Sequence, residues 1–210
     1  MRLSDFDAVL FDMDGTLVDT EPLWHQAEID LFAEYGIAWT TEDALQLTGQ
    51  NMPASAEFMR GKGVDLPAQE IIDRLTESVI AGLRSDIPLH HDIVELLREC
   101  RQSAIPTALV TMSPRALADV VLEVLSHDSF DVTLASEEVA RGKPDPEPYL
   151  RAASELGVDP ARCLAIEDSR PGIASALAAG CTVRSVGPLA GTIDGAPALE
   201  SRRSDVDVPR

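Results

Sequence analysis

The sequence predicts an α/β fold in which a doubly wound parallel sheet carries an inserted, small α-helical domain. Three observations support this prediction. An apolar run at residues 8–11 ends in two aspartates. Helical periodicity without a strand then extends over about residues 20–87, and from residue 88 onward short apolar runs alternate with amphipathic helices. This alternation is typical of parallel sheets that have helices on both faces.

The run at residues 8–11 is short and rich in branched and aromatic residues, as expected for a buried strand. Pro22 suits the first turn of the helix that follows, and Gly36 ends it. Apolar residues at helical spacing predict four helices in the insert, at about 22–35, 42–47, 54–60 and 72–83.

Pro22 and Pro88 lie close to the two ends of this helical block. A helical block between strand-bearing segments is typical of an inserted domain with a small core of its own. We therefore predict a core domain formed by residues 1–19 and 88–210, and a helical domain formed by residues 20–87, called the insert below.

The remainder of the core domain is predicted from alternating patterns. Strands are expected at 106–110, 130–135, 163–166 and 182–186. The helices between and before them are expected at about 93–100, 117–124, 149–156 and 171–179. Residues 187–210 contain glycine, proline and charges with little apolar content, so we expect this end to be loosely ordered.

Composition restricts the possible partners. The 210-residue chain has 36 acidic residues against 17 lysines and arginines, which gives a net charge of −19. Nucleic acids and anionic membrane surfaces repel such a chain, so we expect neither as a partner. No apolar run approaches the roughly 20 residues of a membrane-spanning helix. The N-terminal residues also lack the apolar core of a signal peptide.

The three cysteines are Cys100, Cys163 and Cys181, and none of them forms a C-x-x-C pair. An odd number of unpaired cysteines is typical of buried thiols in a reducing compartment. We therefore expect a cytoplasmic protein. We also expect a monomer or a weak dimer.

Two carboxylates, Asp12 and Asp14, follow the first strand, and Gly15 comes next. Residues i and i+2 of a strand share a face, so both aspartates are expected at one point of the sheet edge. About 4 Å apart, they would repel by about 4 kcal/mol at an effective dielectric constant of about 20, unless a cation or a proton relieves them. Asp-Gly is also a common turn dipeptide, so this motif alone leaves a turn and a reaction centre open.

Polar side chains also follow three later strands. They are Thr111 and Ser113 after the second strand, Lys143 after the third, and Glu167 and Asp168 after the fourth. The carboxyl ends of parallel strands lie at one edge of the sheet, where open α/β sheets bind ligands. Turn chemistry at each strand does not explain this coincidence, which favours a functional site.

Carboxylates without a neighbouring histidine or cysteine favour Mg²⁺, and the predicted metal ligands are Asp12, Asp14, Glu167 and Asp168. This set suits phosphoryl transfer. Asp12 is the candidate nucleophile, and Asp14 is the candidate general acid and base. Lys143 and the Thr111 hydroxyl would hold the transferred group and balance its charge. Lys143 taken alone is more typical of a solvated surface lysine.

The motifs resemble, in their usual order, the four motifs of the haloacid dehalogenase superfamily: Asp12-x-Asp14-Gly15-Thr16, Thr111, Lys143-Pro144 and Glu167-Asp168. The resemblance covers the chain up to about Val186. The insert is similar to the C1 cap of β-phosphoglucomutase-like phosphatases. Residues 19–24 are similar to the opening of sugar-phosphate phosphatases such as the 2-deoxyglucose-6-phosphate phosphatase group.

The resemblance implies Mg²⁺ as the cofactor, held by Asp12, the backbone carbonyl of Asp14, Glu167 and Asp168. It implies a small phosphate ester as the substrate. It also implies one further strand and helix after Val186, whereas residues 190–210 are weakly patterned. This departure concerns the last edge of the sheet and leaves the predicted site intact.

Three activities fit the resemblance: a phosphatase, a β-phosphoglucomutase-like phosphomutase, and a catalytically idle binding module. No motif is missing, which disfavours the idle module. A mutase needs a cation in the cap for its second phosphate, yet no lysine or arginine occurs from Leu3 to Met59. The basic residues of the insert come late in it, at Arg60, Lys62, Arg74 and Arg84.

We therefore predict an Mg²⁺-dependent phosphatase that hydrolyses a monophosphate, with a sugar phosphate favoured, through an aspartyl-phosphate intermediate on Asp12. Contacts to phosphate are expected from Gly15, Met112 and Ser113. Contacts from the insert to the substrate are expected from Trp24, His25, Gln50 and Asn51, although a core role is the alternative for Trp24.

Overall fold

The computed structural model describes residues 2–47 and 52–190. Its strands are β1 (Ala8–Phe11), β2 (Thr107–Val110), β3 (Val132–Leu134), β4 (Cys163–Glu167) and β5 (Thr182–Ser185). They form one parallel sheet in the order β3-β2-β1-β4-β5. The predicted α/β class with a doubly wound parallel sheet is therefore confirmed.

The longer helices lie between these strands. They are α1 (Glu21–Glu34), α2 (Thr41–Leu47), α3 (Met52–Gly61), α4 (Ala68–Ser85), α5 (His91–Gln102), α6 (Arg115–Leu125), α7 (Glu147–Leu156) and α8 (Arg170–Ala178). Helices α1 to α4 all fall within the insert, as the helical periodicity predicts. No helix in the described part of the chain combines the length and the apolar character that crossing a bilayer requires.

Strand β1 lies at the centre of the sheet and is buried on both faces. Side chains alternate along a strand, so Val9 and Phe11 enter one apolar cluster, while Ala8 and Leu10 enter another on the opposite face. Strands covered on both faces have continuous apolar runs rather than alternating ones. This is why the run at residues 8–11 has no polar residue.

The insert shares the larger of these two clusters with the sheet. Ile71 and Leu75 of α4 belong to the same buried cluster as Phe11 and as Leu117 of α6. Within the insert, α1 and α4 lie so close that a Cβ on Gly82 would stand 2.7 Å from the Leu23 side chain. The division into a core and a helical domain stays a prediction, and the apolar packing runs across it without a break.

Two short segments connect the insert to the sheet. Val18 forms a bridge to Asp14 on one side and an antiparallel bridge to Leu89 on the other. The Asp19 amide donates to the carbonyl of Pro88 at 3.0 Å. The chain therefore leaves and re-enters the core side by side, directly next to the motif that contains Asp14.

Element boundaries differ from the predictions by at most two residues, except that α4 begins at Ala68, four residues before the predicted start. One side chain also differs in burial. Helical spacing with Leu117 and Val121 predicts Val124 on the buried face of α6, but Val124 is 57% exposed. It lines an open groove of about 270 Å³ between α5 and α6, together with Leu89, Val94 and Leu97. The two helices do not close on each other there, so periodicity alone overestimates the burial of this last turn.

Several predictions fall outside the described residues. These are the contacts expected from Gln50 and Asn51, and most of the loosely ordered end expected at 187–210. The extra strand and helix implied after Val186 fall there too. Within that end the structure describes a short 3-10 helix, Gly187–Leu189, whose Leu189 packs against the smaller apolar cluster.

Replacing Leu117 by alanine should lower the free energy of unfolding by about 2–5 kcal/mol, because the side chain is fully buried and leaves a cavity. The matched control is Leu177→Ala on α8, where the leucine is 42% exposed and the change should stay within about 0.5 kcal/mol. Urea unfolding of the two variants checks this, and equal losses would contradict the described packing.

Candidate active site

Four of the predicted side chains lie together at the carboxyl end of the sheet: Asp12, Lys143, Glu167 and Asp168. The strand register explains why Asp12 and Glu167 lie next to each other. Phe11 of β1 is paired with Ile166 of β4, so the residues that follow them, Asp12 and Glu167, stand side by side. The lysine arrives from the loop before α7, through a cis Lys143–Pro144 peptide bond.

The ammonium of Lys143 lies between the carboxylates. Nζ donates to Asp12 Oδ1 at 2.6 Å, to Glu167 Oε1 at 2.7 Å and to the backbone carbonyl of Val110 at 2.9 Å. The Lys143 side chain is 6% exposed. An ammonium has three donors, so these three acceptors use all of them. The repulsion expected around Asp12 is therefore relieved by a buried cation of the chain itself.

Glu167 is fully buried, and both of its oxygens accept hydrogen bonds. Besides Lys143, Oε1 accepts from the Tyr149 hydroxyl at 2.8 Å. Oε2 accepts from the backbone amides of Asp168 and Ser169 at 3.1 and 3.2 Å and from the Ser169 hydroxyl at 3.0 Å. Five donors thus fix the orientation of this one carboxylate.

The start of α8 completes the surroundings of Glu167. Ser169 is the N-cap residue and accepts from the Gly172 amide at 3.1 Å. Gly172 packs directly on the carboxylate, because a Cβ built there would stand 1.8 Å from Glu167 Oε1. Only glycine fits this position without moving Glu167.

Three carboxylates could share a cation. One oxygen from each of Asp12, Glu167 and Asp168 lies within 4.8 Å of the others. Asp12 Oδ2 is buried and has no hydrogen-bond partner. An unpartnered buried carboxylate oxygen and a set of oxygen donors both suit Mg²⁺. The predicted metal-ligand roles of Asp12, Asp14, Glu167 and Asp168 stay predictions.

Gly15 gives Asp168 the space it occupies. Gly15 has a φ of +77°, which residues other than glycine rarely adopt. A Cβ at this position would stand 2.0 Å from Asp168 Oδ2. The backbone after the first motif therefore passes directly against the carboxylate that follows the fourth strand.

Asp14 is held apart from the three clustered carboxylates by hydroxyl groups. Its Oδ1 accepts from Thr20 at 2.8 Å, and its Oδ2 accepts from Thr111 at 3.0 Å and from Ser113 at 2.8 Å. Thr111, predicted to hold the transferred group, thus donates to Asp14, and its oxygen also accepts from the Ser113 amide at 3.0 Å. The roles predicted for Asp14, Thr111 and Ser113 stay predictions.

Met112 lies next to these hydroxyls and is half-buried. Its sulfur covers Gly142, where a Cβ would stand 2.7 Å away. The structure thus places Ser113 beside Asp14, Met112 against Gly142, and Gly15 beside Asp168. Their predicted contacts to a phosphate group stay predictions.

The two described contact candidates in the insert are Trp24 and His25. Trp24 is half-buried and packs against the larger apolar cluster, in line with its alternative core role. His25 Nδ1 is buried without a hydrogen-bond partner and lies 3.8 Å from Glu28 Oε2. Glu28 also accepts from Trp39 Nε1 at 3.0 Å, so His25 borders a polar group within the insert.

Burial and the surrounding charges shift the pKa values of this site. Burial, reinforced by the charge of Glu167, raises the pKa of Asp12 well above its usual value, although Lys143 opposes the shift. The same two causes raise the pKa of Asp168 to about 7. Burial alone would lower the pKa of Lys143, but Asp12 and Glu167 raise it, so the lysine stays protonated. A bound cation would favour the ionised carboxylates.

Sequence reasoning missed three polar groups of this site: the hydroxyls of Thr20, Tyr149 and Ser169. Helical spacing with Ala153 and Leu156 predicts only that Tyr149 lies on the apolar face of its helix. A buried tyrosine hydroxyl usually has a hydrogen-bond partner, but the sequence does not show which residue that partner is. Ser169 carries the signal of an N-cap residue before Pro171.

Comparison with known proteins gives consistent matches. Residues 6–180 match the family model described as haloacid dehalogenase-like hydrolase. Hexitol phosphatase B of Escherichia coli is 33% identical over 176 residues, which cover 82% of this chain and 79% of that protein.

Solved structures are similar over most of the chain. The structure of CbbY from Rhodobacter sphaeroides, in complex with xylulose-(1,5)-bisphosphate, is 30% identical, with a TM-score of 0.80 and coverage of 92% of this chain and 93% of that one. A putative β-phosphoglucomutase from Thermotoga maritima is 29% identical, with a TM-score of 0.73 and the same coverage of both chains. The resemblance drawn from the motifs is thereby confirmed.

Replacing Gly172 by alanine should lower the free energy of unfolding by about 1–3 kcal/mol, because the new methyl group overlaps the fixed Glu167 carboxylate. Gly61→Ala is the matched control, since a Cβ at that helical position meets nothing within 4 Å. Chemical denaturation measures both variants. Equal stability of the Gly172 variant and the wild type would contradict the close packing of Glu167.

Proposed function

Since the chain belongs to the haloacid dehalogenase-like hydrolases, we propose that it hydrolyses a small phosphomonoester, with a sugar phosphate as the substrate class. The observation that carries the proposal is the buried, unpartnered oxygen of Asp12, set beside a buried lysine and the Asp168 carboxylate. The likeness to hexitol phosphatase B supports the substrate class.

Asp12 acts as the nucleophile in this proposal. One of its carboxylate oxygens attacks phosphorus, a bond from that oxygen to phosphorus forms, and the bond from phosphorus to the sugar oxygen breaks. Lys143, held within 2.6 Å of the other side of this carboxylate, offsets negative charge on the transferred group. In the second step a water oxygen attacks phosphorus, the bond to Asp12 breaks, and inorganic phosphate leaves.

Asp14 moves the protons. It gives one to the departing sugar oxygen in the first step and takes one from the attacking water in the second, so it returns to its starting state. The hydroxyls of Thr20, Thr111 and Ser113 hold its carboxylate until one of these contacts is exchanged for the substrate oxygen.

Mg²⁺ is the proposed cofactor. When bound, it lowers the repulsion between the carboxylates and the phosphate and polarises the phosphoryl oxygens. Asp12, Asp168 and the backbone carbonyl of Asp14 would hold it, and Glu167 would support the site through Lys143. The oxygen-only donor set and the unpartnered Asp12 Oδ2 fit this ion.

The charges of the insert favour a monophosphate as the substrate. Three of its four basic side chains already pair with carboxylates of the insert. Arg60 pairs with Glu57 at 2.9 Å, Lys62 with Asp43 at 2.5 Å, and Arg74 with Glu34 at 2.9 Å. A second phosphate would have to bind at Arg84, the fourth of them, or draw one of these three cations away from its carboxylate partner. The phosphomutase alternative, supported by the likeness to the putative β-phosphoglucomutase, is therefore the weaker one.

A substrate panel tests the proposal. With Mg²⁺, the protein should release phosphate from p-nitrophenyl phosphate and, faster, from one or more sugar or sugar-alcohol monophosphates. Asp12→Asn should abolish this release while keeping the fold, and EDTA should abolish it reversibly, because both the nucleophile and the cation are required. Released phosphate is measured colorimetrically.

Two other results would contradict the proposal. An isomerised sugar phosphate that forms only with a bisphosphate activator would favour the phosphomutase. No phosphate release across the panel, together with intact Mg²⁺ binding, would favour the idle binding module. The oligomeric state expected from the sequence, a monomer or weak dimer, stays a prediction.

The close approach of Gly15 to Asp168 gives a second prediction. Gly15→Ala should raise the Mg²⁺ concentration for half-maximal activity by about 10–100-fold, because the new Cβ displaces a proposed ligand. Gly157→Ala is the matched control, since Gly157 has a similar φ of +72° but nothing within 4 Å of a Cβ. Magnesium titrations measure both variants. A shift in Gly15→Ala alone indicates the overlap with Asp168, whereas equal shifts would indicate backbone strain and contradict the prediction.

A further inference from the structure

We propose that Tyr149 is a positioning residue of the reaction, whose hydroxyl fixes Glu167 and, through Glu167, aims the Lys143 ammonium at Asp12. This inference rests on the proposed function for its catalytic consequence. Tyr149 itself is fully buried and cannot meet the substrate. It is therefore expected to act only through the groups that it contacts.

The hydroxyl of Tyr149 and the ammonium of Lys143 share one acceptor. Both donate to Glu167 Oε1, at 2.8 and 2.7 Å. The other oxygen, Oε2, is held by Asp168 and Ser169. Tyr149 is thus the side chain that fixes the lysine-bearing oxygen from the interior of the protein.

The ring of Tyr149 adds a second contact to the lysine. Lys143 Nζ lies 5.2 Å from the ring centroid, within the range of a cation–π interaction. The ring of Tyr149 and the Glu167 oxygen that its hydroxyl fixes therefore both contact the lysine. The two remaining donors of the ammonium go to Asp12 and to the carbonyl of Val110.

A purely structural role would not require the hydroxyl. Tyr149 belongs to the smaller apolar cluster, where its neighbours include Ala152, Ala153 and Val183. A phenylalanine would fill the same space in this cluster without a buried polar group. The hydroxyl finds its partner in Glu167, a carboxylate that also binds Lys143, and this observation separates positioning from packing.

The first test compares Tyr149→Phe with the wild type at saturating Mg²⁺. We expect kcat to fall by about 10-fold with KM nearly unchanged. Groups that orient the ligands of a metal site have comparable effects, of about 10–100-fold. Tyr35→Phe is the matched control, because Tyr35 is half-buried in the insert. Val183→Ala controls for stability, since it removes buried volume from the same apolar cluster.

The second test asks whether Tyr149 acts through Glu167. In a Glu167→Gln background the charge that holds the lysine is absent, so Tyr149→Phe should change kcat by no more than about twofold. A merely structural role would give the same loss in both backgrounds. An equal loss, or a loss that Val183→Ala reproduces at the same fall in Tm, would overturn the proposal.

The third test measures chemical labelling of Lys143 and does not depend on catalytic activity. The sequence contains only two lysines, Lys62 and Lys143, and their side chains are 42% and 6% exposed. Reductive methylation followed by peptide mass spectrometry therefore gives the labelling of Lys143 relative to Lys62 in the same sample. Tyr149→Phe should raise this ratio, and Tyr35→Phe should not.

These readouts separate the two proposals. If the wild type hydrolyses no phosphate ester, the proposed function fails, while the labelling ratio still decides whether Tyr149 holds the lysine. If the wild type is active and Tyr149→Phe leaves both kcat and the ratio unchanged, the positioning role is wrong and the proposed function stands.

Discussion

One buried ammonium among carboxylates is the interaction on which this site depends. Asp12 and Glu167 are both buried, and either charge alone in that environment would be costly. Lys143 binds both, at 2.6 and 2.7 Å, and so places a positive charge between them. Its third donor is used by the carbonyl of Val110, so the chain at the end of β2 also fixes its direction.

The fold brings these groups together by simple means. Parallel register sets Asp12 beside Glu167, and the N-terminus of α8 supplies amide donors to Glu167 directly after the strand ends. Two glycines then allow close approach, Gly15 against Asp168 and Gly172 against Glu167. Much of the precision of the site therefore comes from backbone geometry, while the flexible side chain of Lys143 is fixed by its acceptors.

The sequence was sufficient for the parts of this arrangement that depend on strand periodicity. Asp12, Glu167 and Lys143 each follow a predicted strand, and parallel topology alone brings such residues to one edge. Tyr149 was missed because apolar spacing shows only that its ring is buried and says nothing about its hydroxyl. The hydrogen bond from Thr20 to Asp14 was missed for a related reason. It forms because the chain folds back on itself at Val18, and no local sequence pattern predicts this turn.

The unbroken apolar cluster between the insert and the sheet restricts how the molecule can change shape. Side chains of α4 and of the sheet face lie in one buried cluster, so a wide swing of the insert would expose a large apolar area to water. Small sliding movements keep such side chains covered, as in shear motions of packed helices. Access to Asp12 is thus expected to depend on small translations along the α4–α6 contact and not on a wide rotation of the insert.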